Sequence, residues 1–112
     1  MKTKLGVILT GVRPEIFFAC GVAHAIHKDL FHTPLVVTSL LDGTHLPTSL
    51  HYKGLAADFR DRDLSPAEKN EFVYDLRELL VPLGYQIVQE KDHTHLEFDP
   101  GDSGLTWRED LA

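Results

Sequence analysis

Residues 85–98 read YQIVQEKDHTHLEF, and this stretch decides the fold. Two runs typical of β-structure flank Lys91-Asp92, which predicts two strands joined by a tight turn. Successive side chains of a strand point to opposite faces. One alternate set of the second strand is expected to face the core: Thr94, Leu96 and Phe98. The other set is ionisable, which indicates a site on that face: His93, His95 and Glu97.

A third strand is predicted from the segment LAADFR, residues 55–60. Leu55, Ala57 and Phe59 alternate with Ala56, Asp58 and Arg60, so one face is apolar and the other carries the charges. Asp58 is therefore expected to point away from the core. A further strand is predicted from PLVVTSLL, residues 34–41, which the turn signal Asp42-Gly43 ends.

Two helices are predicted. In residues 13–31, Pro14 and Glu15 form a first turn and apolar residues recur at helical spacing over about four turns. These apolar residues are Ile16, Cys20, Ala23 and Ile26. The second helix lies within residues 64–84 and begins with a capping box of Ser65 and Glu68, with Pro66 at its first position. Its buried stripe is predicted to be Phe72, Leu76 and Leu79 or Leu80.

The N-terminal stretch contains a short apolar run, Leu5 to Leu9, after two lysines. The run lacks a small-residue cleavage pattern, so a first strand is predicted rather than a secretory signal. Together these elements predict an α+β fold, a small antiparallel sheet with helices packed on one face, in a single domain over residues 1–112.

The composition excludes several classes of protein. The net charge of -6, with 11 basic against 17 acidic residues, argues against a nucleic-acid-binding protein. No stretch is long enough to span a membrane. The only cysteine, Cys20, excludes an internal disulfide and a thiolate-rich metal site, and its place in the helical stripe predicts a core residue. A peptide or small-molecule ligand and a cytoplasmic monomer are expected.

Two short segments, 49–60 and 91–98, contain histidine and aspartate residues at a spacing typical of zinc ligands. His51 and Asp58 lie seven residues apart in the first, and Asp92 lies three residues before His95 in the second. A catalytic zinc ion takes three protein ligands and leaves a position for water, whose proton a nearby carboxylate can accept. Two histidines and one carboxylate also suit iron, so the spacing alone does not identify the metal.

The same segments resemble the family of zinc D-Ala-D-Ala carboxypeptidases and L-alanyl-D-glutamate endopeptidases, whose fold is shared with the hedgehog signalling domain. The family's first motif is Ser-x-His-x-x-Gly-x-Ala-x-Asp. Five residues of this chain fill its specified positions: Ser49, His51, Gly54, Ala56 and Asp58. The second motif is an acid two residues short of the last ligand histidine, a frame that Asp92-His93-Thr94-His95 fits. In some members this motif reads His-x-His, which His93 and His95 also match. The resemblance covers about residues 34–98.

This resemblance implies Zn2+ bound by His51, Asp58 and His95, and hydrolysis of a peptide bond in bacterial peptidoglycan. It implies Asp92 as the general base, with Glu90 and His93 as rivals. Family members often hold a substrate carboxylate with an arginine that follows the Thr-Ser strand, where this chain has Asp42 or a neighbour. Arg60 or Arg13 could replace it, or the substrate lacks that carboxylate. The expected substrate contacts are Arg60, His45 and Ser49.

Other interpretations accompany this one. A hedgehog-like zinc module without catalysis, or a zinc peptidase or amidase with a substrate outside the wall, would use the same ligands. Small domains of this family without a signal peptide resemble phage lysis and virion enzymes, which act on the wall after release or from the virion. The remaining histidines near the first helix, His24, His27 and His32, are predicted to lie on the surface.

Overall fold

The computed structural model describes residues 1–41 and 53–99. The fold is α+β, with two helices and a five-stranded mixed sheet. The strands are β1 (Lys2–Thr3), β2 (Val36–Ser39), β3 (Ala56–Arg60), β4 (Tyr85–Gln89) and β5 (His93–Phe98), and the helices are α1 (Pro14–Phe31) and α2 (Pro66–Leu80). The strand order is β1-β2-β3-β5-β4.

The predicted hairpin of β4 and β5 is confirmed. Tyr85 pairs with Phe98 and Gln89 with Thr94 in an antiparallel register, and the Glu90 amide donates to the His93 carbonyl oxygen at 2.9 Å across the turn. Strand β5 lies between β3 and β4 and is antiparallel to both. It is therefore held by backbone hydrogen bonds on both sides, which fixes the direction of every side chain it carries.

The core lies between the sheet and the helices. Ala57, Phe59 and Leu96 from β3 and β5 are fully buried against apolar residues of α1 and α2. The predicted helix stripes are largely confirmed, with Ile16, Cys20 and Ala23 buried in α1 and Phe72, Leu76 and Leu80 buried in α2. Both the capping box and Pro66 at the start of α2 are present. Leu79, the alternative to Leu80, is exposed.

Four predictions about the fold are corrected. The run Leu5 to Leu9 is not a strand, because Leu5 is 97% exposed and Gly6 turns the chain with a φ of +91°, so β1 ends at Thr3. The sheet is mixed rather than antiparallel, because β1 runs parallel to β2. Helix α1 has 18 residues, about five turns. His27 is buried, with its Nδ1 2.8 Å from the Thr33 carbonyl oxygen.

No helix among residues 1–41 and 53–99 is both long and apolar enough to cross a membrane.

Candidate functional site

The register of β3 and β5 brings two predicted metal ligands together. Asp58 and His95 are directly paired across the two strands. Their side chains lie on the face opposite the core, and His95 Nδ1 is 2.8 Å from Asp58 Oδ1. A shift of one residue in this register would turn one of them into the core, so the hydrophobic pattern that sets the register also sets the site.

The His95 imidazole lies between two carboxylates. Its second nitrogen, Nε2, is 2.9 Å from Glu97 Oε1, two residues along β5 on the same face. Hydrogen bonds to Asp58, and then to Glu97, raise the pKa of His95 against the opposing effect of burial. A ring that hydrogen-bonds to both carboxylates donates from both nitrogens and is protonated, whereas a neutral ring that donates from Nε2 to Glu97 carries a lone pair on Nδ1.

Asp92 and His93 form a second pair beside the first. Asp92 Oδ1 is 2.8 Å from His93 Nδ1, while His93 Nε2 is 3.8 Å from Asp58 Oδ1. The Asp92 side chain is 76% exposed. The hydrogen bond with His93 lowers the pKa of Asp92, so this carboxyl is ionised at neutral pH. The turn thus places an ionised carboxylate and an imidazole next to the Asp58–His95 pair.

A cavity of about 290 Å³ opens at this point. Its lining includes three residues predicted for the site, Asp58, Asp92 and His93, together with the predicted substrate contact Arg60. Glu90 is exposed and does not line this cavity, whereas the two other candidate bases, Asp92 and His93, line it together with Asp58, one of the predicted ligands. The remaining lining residues are Lys4, Thr38 and Arg62.

A larger cavity of about 390 Å³ lies elsewhere, between the end of α1 and the connection from β3 to α2. It shares Arg60 with the first cavity, but Asp58, Asp92 and His93 line only the first, and His95 lines neither. Its lining carries no pair of side chains comparable to Asp58 and His95 among the described residues. The smaller cavity is therefore the candidate site. It is chosen for the reactive side chains that line it and not for its volume.

Asp58 and His95 carry an oxygen and a nitrogen donor of the kinds that zinc accepts, and these two atoms lie 2.8 Å apart. A metal-bound imidazole ordinarily donates its other N–H to a carboxylate, which is the contact that Glu97 makes with His95. The third predicted ligand, His51, lies outside the described residues, as do Ser49 and His45. Within residues 1–41 and 53–99, no group of three or more His, Cys, Asp and Glu side chains is arranged to hold a metal ion.

Three features of the site were not predicted from the sequence. Lys4 and Arg62 reach the cavity from segments with no motif. Asp61 is 1% exposed, and its Oδ2 accepts a hydrogen bond of 2.9 Å from Thr94 Oγ1, which ties the end of β3 to β5 between His93 and His95. The pattern Asp61-Arg62-Asp63 has the composition of a solvated loop, so only the tertiary structure shows that the first of these aspartates is buried.

Comparison of the chain with models of known protein families, and with curated proteins, finds no match.

Proposed function

We propose that this chain is a zinc-dependent peptidase that hydrolyses peptide bonds of bacterial peptidoglycan. The observation that carries the proposal is the Asp58–His95 pair, with donors 2.8 Å apart and Glu97 on the far nitrogen of the imidazole. An imidazole held between two carboxylates beside an open cavity is a costly arrangement for stability alone, and it is the ordinary environment of a metal-bound histidine.

Asp58 and His95, with His51, would hold the ion. When bound, zinc supplies a Lewis acid that polarises a carbonyl and lowers the pKa of a bound water to about 7. Glu97 keeps the His95 ring in the tautomer whose Nδ1 can bind metal, because it accepts the hydrogen of Nε2. The half-buried position of the pair limits access of bulk water to these donors.

In the proposed mechanism Asp92 transfers the proton and His93 positions Asp92. The Asp92 carboxylate accepts a proton from water and returns it to the leaving amine, as a general base and then a general acid. His93, hydrogen-bonded to Asp92 at 2.8 Å, orients that carboxylate toward the cavity. This hydrogen bond lowers the pKa of Asp92 and keeps the carboxylate in the unprotonated form that a general base requires, while a bound zinc ion would lower the pKa of the water from which the proton is taken.

The proposed substrate rests on the resemblance of residues 49–58 and 92–95 to the wall peptidases described above. The proposal also includes a hedgehog-like arrangement of the fold. The α+β architecture, with ligands on the sheet face that the helices leave open, agrees with that arrangement. The cavity volume of about 290 Å³ lies at the lower end of the range of pockets that bind small molecules, and a short peptide segment is the proposed ligand.

The test combines purified peptidoglycan with two variants. The zinc-loaded chain should release wall fragments that mass spectrometry identifies, and the masses define the bond that is cut. Asp92→Asn should lower the rate by at least about 100-fold with zinc content unchanged, as expected for loss of a general base. Asp75→Asn, on α2 and away from the cavity, is the matched control and should retain full activity.

The opposite result has a clear meaning. If the wild-type chain binds zinc and releases no fragment, and Asp92→Asn behaves identically, the chain is a zinc-binding module and the proposed hydrolysis is wrong. If peptide substrates other than wall fragments are cut, the chemistry stands and the proposed substrate is wrong. Failure of the chain to bind zinc at all would remove the basis of the proposal.

A further inference from the structure

Strand β3 supports only part of the segment that carries the candidate bases. Its last residue, Arg60, pairs with His93 of β5, and the backbone ladder between the two strands ends there. Residues 90–92, the β4–β5 turn, lie beyond that ladder and include Asp92. The hydrogen bond from the Glu90 amide to the His93 carbonyl oxygen is internal to the hairpin. The position of Asp92 in the cavity therefore depends also on contacts from other elements.

Lys69 of α2 reaches this turn. Its Nζ donates to the Lys91 carbonyl oxygen at 3.5 Å and lies 3.8 Å from Asp61 Oδ1. Among the residues that the structure describes, this is the one hydrogen bond that residues 90–92 receive from outside the hairpin. The Lys69 side chain is only 19% exposed, so most of it is covered by the protein. Its ammonium group thus lies between the turn and the end of β3.

Asp61 connects the same ammonium group to β5. It directly follows β3, and its side chain is completely buried. Its Oδ2 accepts a hydrogen bond of 2.9 Å from Thr94 Oγ1, and Thr94 lies between His93 and His95. Its other oxygen, Oδ1, accepts no hydrogen bond in the described part of the chain and has the Lys69 ammonium group as its ion-pair partner. Side chains thus continue the connection between the two segments where the backbone ladder ends.

Stability alone does not explain this ion pair. Burying two charges costs hydration that their attraction only just repays, and an apolar pair of similar volume is often as stable. A buried charge does, however, restrict geometry, because it must stay close to its partner and to its other hydrogen-bonding groups. Lys69 has two such groups, the Asp61 carboxylate and the Lys91 carbonyl, and they belong to the segments that carry Asp58 and Asp92.

We propose that Asp61 and Lys69 are positioning residues, which hold the β4–β5 turn, and with it Asp92, in place at the cavity. This inference rests on the proposed function, because it gives the pair a role in the hydrolytic step. Neither residue lines the cavity of about 290 Å³, so both act through residues 91–94. A displacement of about 1 Å in a reacting group can lower a rate by about 100-fold.

The test variants separate positioning from the balance of charge. Lys69→Met alone would leave a buried carboxylate unpaired and could destabilise the whole fold. It is therefore combined with Asp61→Asn, which removes that charge and keeps an acceptor for Thr94. Lys69→Arg retains the charge and can donate to both the turn and Asp61. Lys28→Met, at an exposed position of α1, is the matched control and should behave as the wild-type chain.

Amide hydrogen exchange, followed by NMR on the full chain without zinc, tests the turn independently of hydrolysis. The Glu90 amide reports on the turn. The Phe98 amide donates to the Leu55 carbonyl oxygen at 2.9 Å and reports on the other end of β5. The double variant should exchange about tenfold faster or more at Glu90, with Phe98 unchanged, because the opening is local. Lys69→Arg should retain the wild-type rate at both amides.

Kinetics on the zinc-loaded chain tests the role in the reaction. The double variant should lower kcat about tenfold or more and leave KM and the zinc affinity within about twofold, because the groups that contact substrate and metal are unchanged. Lys69→Arg should recover most of the rate. A pair that serves stability alone would lower the Tm on replacement and leave kcat as it is.

Three results would overturn the positioning role. They are wild-type exchange at Glu90 in the double variant, equal acceleration at Glu90 and Phe98, and an unchanged kcat. A chain that hydrolyses peptides with any of these results retains the proposed function and loses this inference. A chain that hydrolyses no peptide, yet opens locally at Glu90 in the double variant and not in Lys69→Arg, loses the proposed function and retains Asp61 and Lys69 as supports of the turn.

Discussion

At the scale of single residues, Glu97 has the most specific role that the structure indicates. It lies on the face of β5 that carries His95, and its Oε1 is 2.9 Å from His95 Nε2. A carboxylate in this position fixes the tautomer of a metal-binding imidazole and increases its basicity. Glu97 therefore belongs to the candidate site, and in the proposed zinc-bound protein it would support His95 without contacting the ion.

Replacing Glu97 by alanine should weaken zinc binding by about 10- to 100-fold, because His95 loses the group that orients it. The affinity is measured by competition with a chelator of known zinc affinity. Glu90→Ala is the control, since Glu90 is exposed in the neighbouring turn and does not line the cavity. Equal zinc affinity in Glu97→Ala and the wild-type chain would show that His95 does not need this contact.

The burial of Cys20 leads to a prediction about its reactivity. Its side chain is buried in α1, and burial raises the pKa of the thiol to about 12. The thiolate is the reactive form, so a thiol reagent at pH 8 should label the folded chain very slowly and the chain in denaturant quickly. Mass spectrometry after timed exposure to iodoacetamide measures both rates. Rapid labelling without denaturant would contradict the placement of Cys20 in the core.

Sequence alternation was sufficient to predict the direction of most site residues. Asp58 and His95 were expected on the polar faces of their strands, and the register confirms that they meet. The positions of Lys4 and Arg62 could not be predicted in the same way. Both lie outside regular patterns, and only the pairing of distant segments brings them to the cavity. The metal-binding and catalytic roles themselves remain predictions.

At the scale of secondary structure elements, Gly54 controls the entry to β3. It adopts a φ of +72°, and a Cβ at this position would collide with the Gly11 carbonyl oxygen. The Gly54 carbonyl oxygen also accepts a hydrogen bond of 2.9 Å from the Arg13 amide at the start of α1. One glycine thus joins the beginning of α1 to the segment that leads to Asp58.

Gly54→Ala should destabilise the protein by at least about 1–3 kcal/mol, the cost of a left-handed conformation in a residue with a side chain, with the collision added. Gly21→Ala is a matched control in α1, where nothing lies within 4 Å of the added methyl group. That control should stabilise by about 0.5–1 kcal/mol because alanine favours a helix. Urea denaturation measures both, and equal effects would contradict the tight contact at Gly54.

Long, strongly patterned elements were predicted well, and short ones were not. The two helices and the β4–β5 hairpin carry enough local signal in caps, periodicity and turn residues. Strand β1 has only two residues and depends on parallel pairing with β2, which leaves no trace in local sequence. The apolar run after it predicted a strand wrongly, since apolar composition without alternation does not distinguish a strand from an exposed turn.

At the scale of the whole molecule, the core and the candidate site lie on opposite faces of one sheet. The core residues of β3 and β5 pack against the helices, while Asp58 and His95 lie on the other face. An α+β fold with helices on one face was predicted correctly, and this separation follows from it. Whether the fold also has the finer hedgehog-like arrangement is part of the proposal.

If zinc binds at Asp58 and His95 as proposed, its removal should lower the stability without abolishing the fold. Binding to the native state contributes about 2.7 kcal/mol when free zinc is 100 times its Kd. A chelator should lower the Tm accordingly and leave the far-ultraviolet circular dichroism spectrum unchanged at 25 °C, since the packed core lies on the opposite face of the sheet from Asp58 and His95. Loss of the spectrum at that temperature would mean that zinc is required for folding, which would favour a structural role.

The alternation of β5 has one more consequence, for protein engineering. Thr94 and Leu96 are completely buried, whereas His93 and His95 between them are only partly covered. A designer can therefore exchange the donor atoms at the odd-numbered positions, for example to select cobalt or copper, while the even-numbered positions preserve the hydrophobic packing. The side chains at positions 93, 95 and 97 would then form a surface whose chemistry can be changed while the scaffold stays the same.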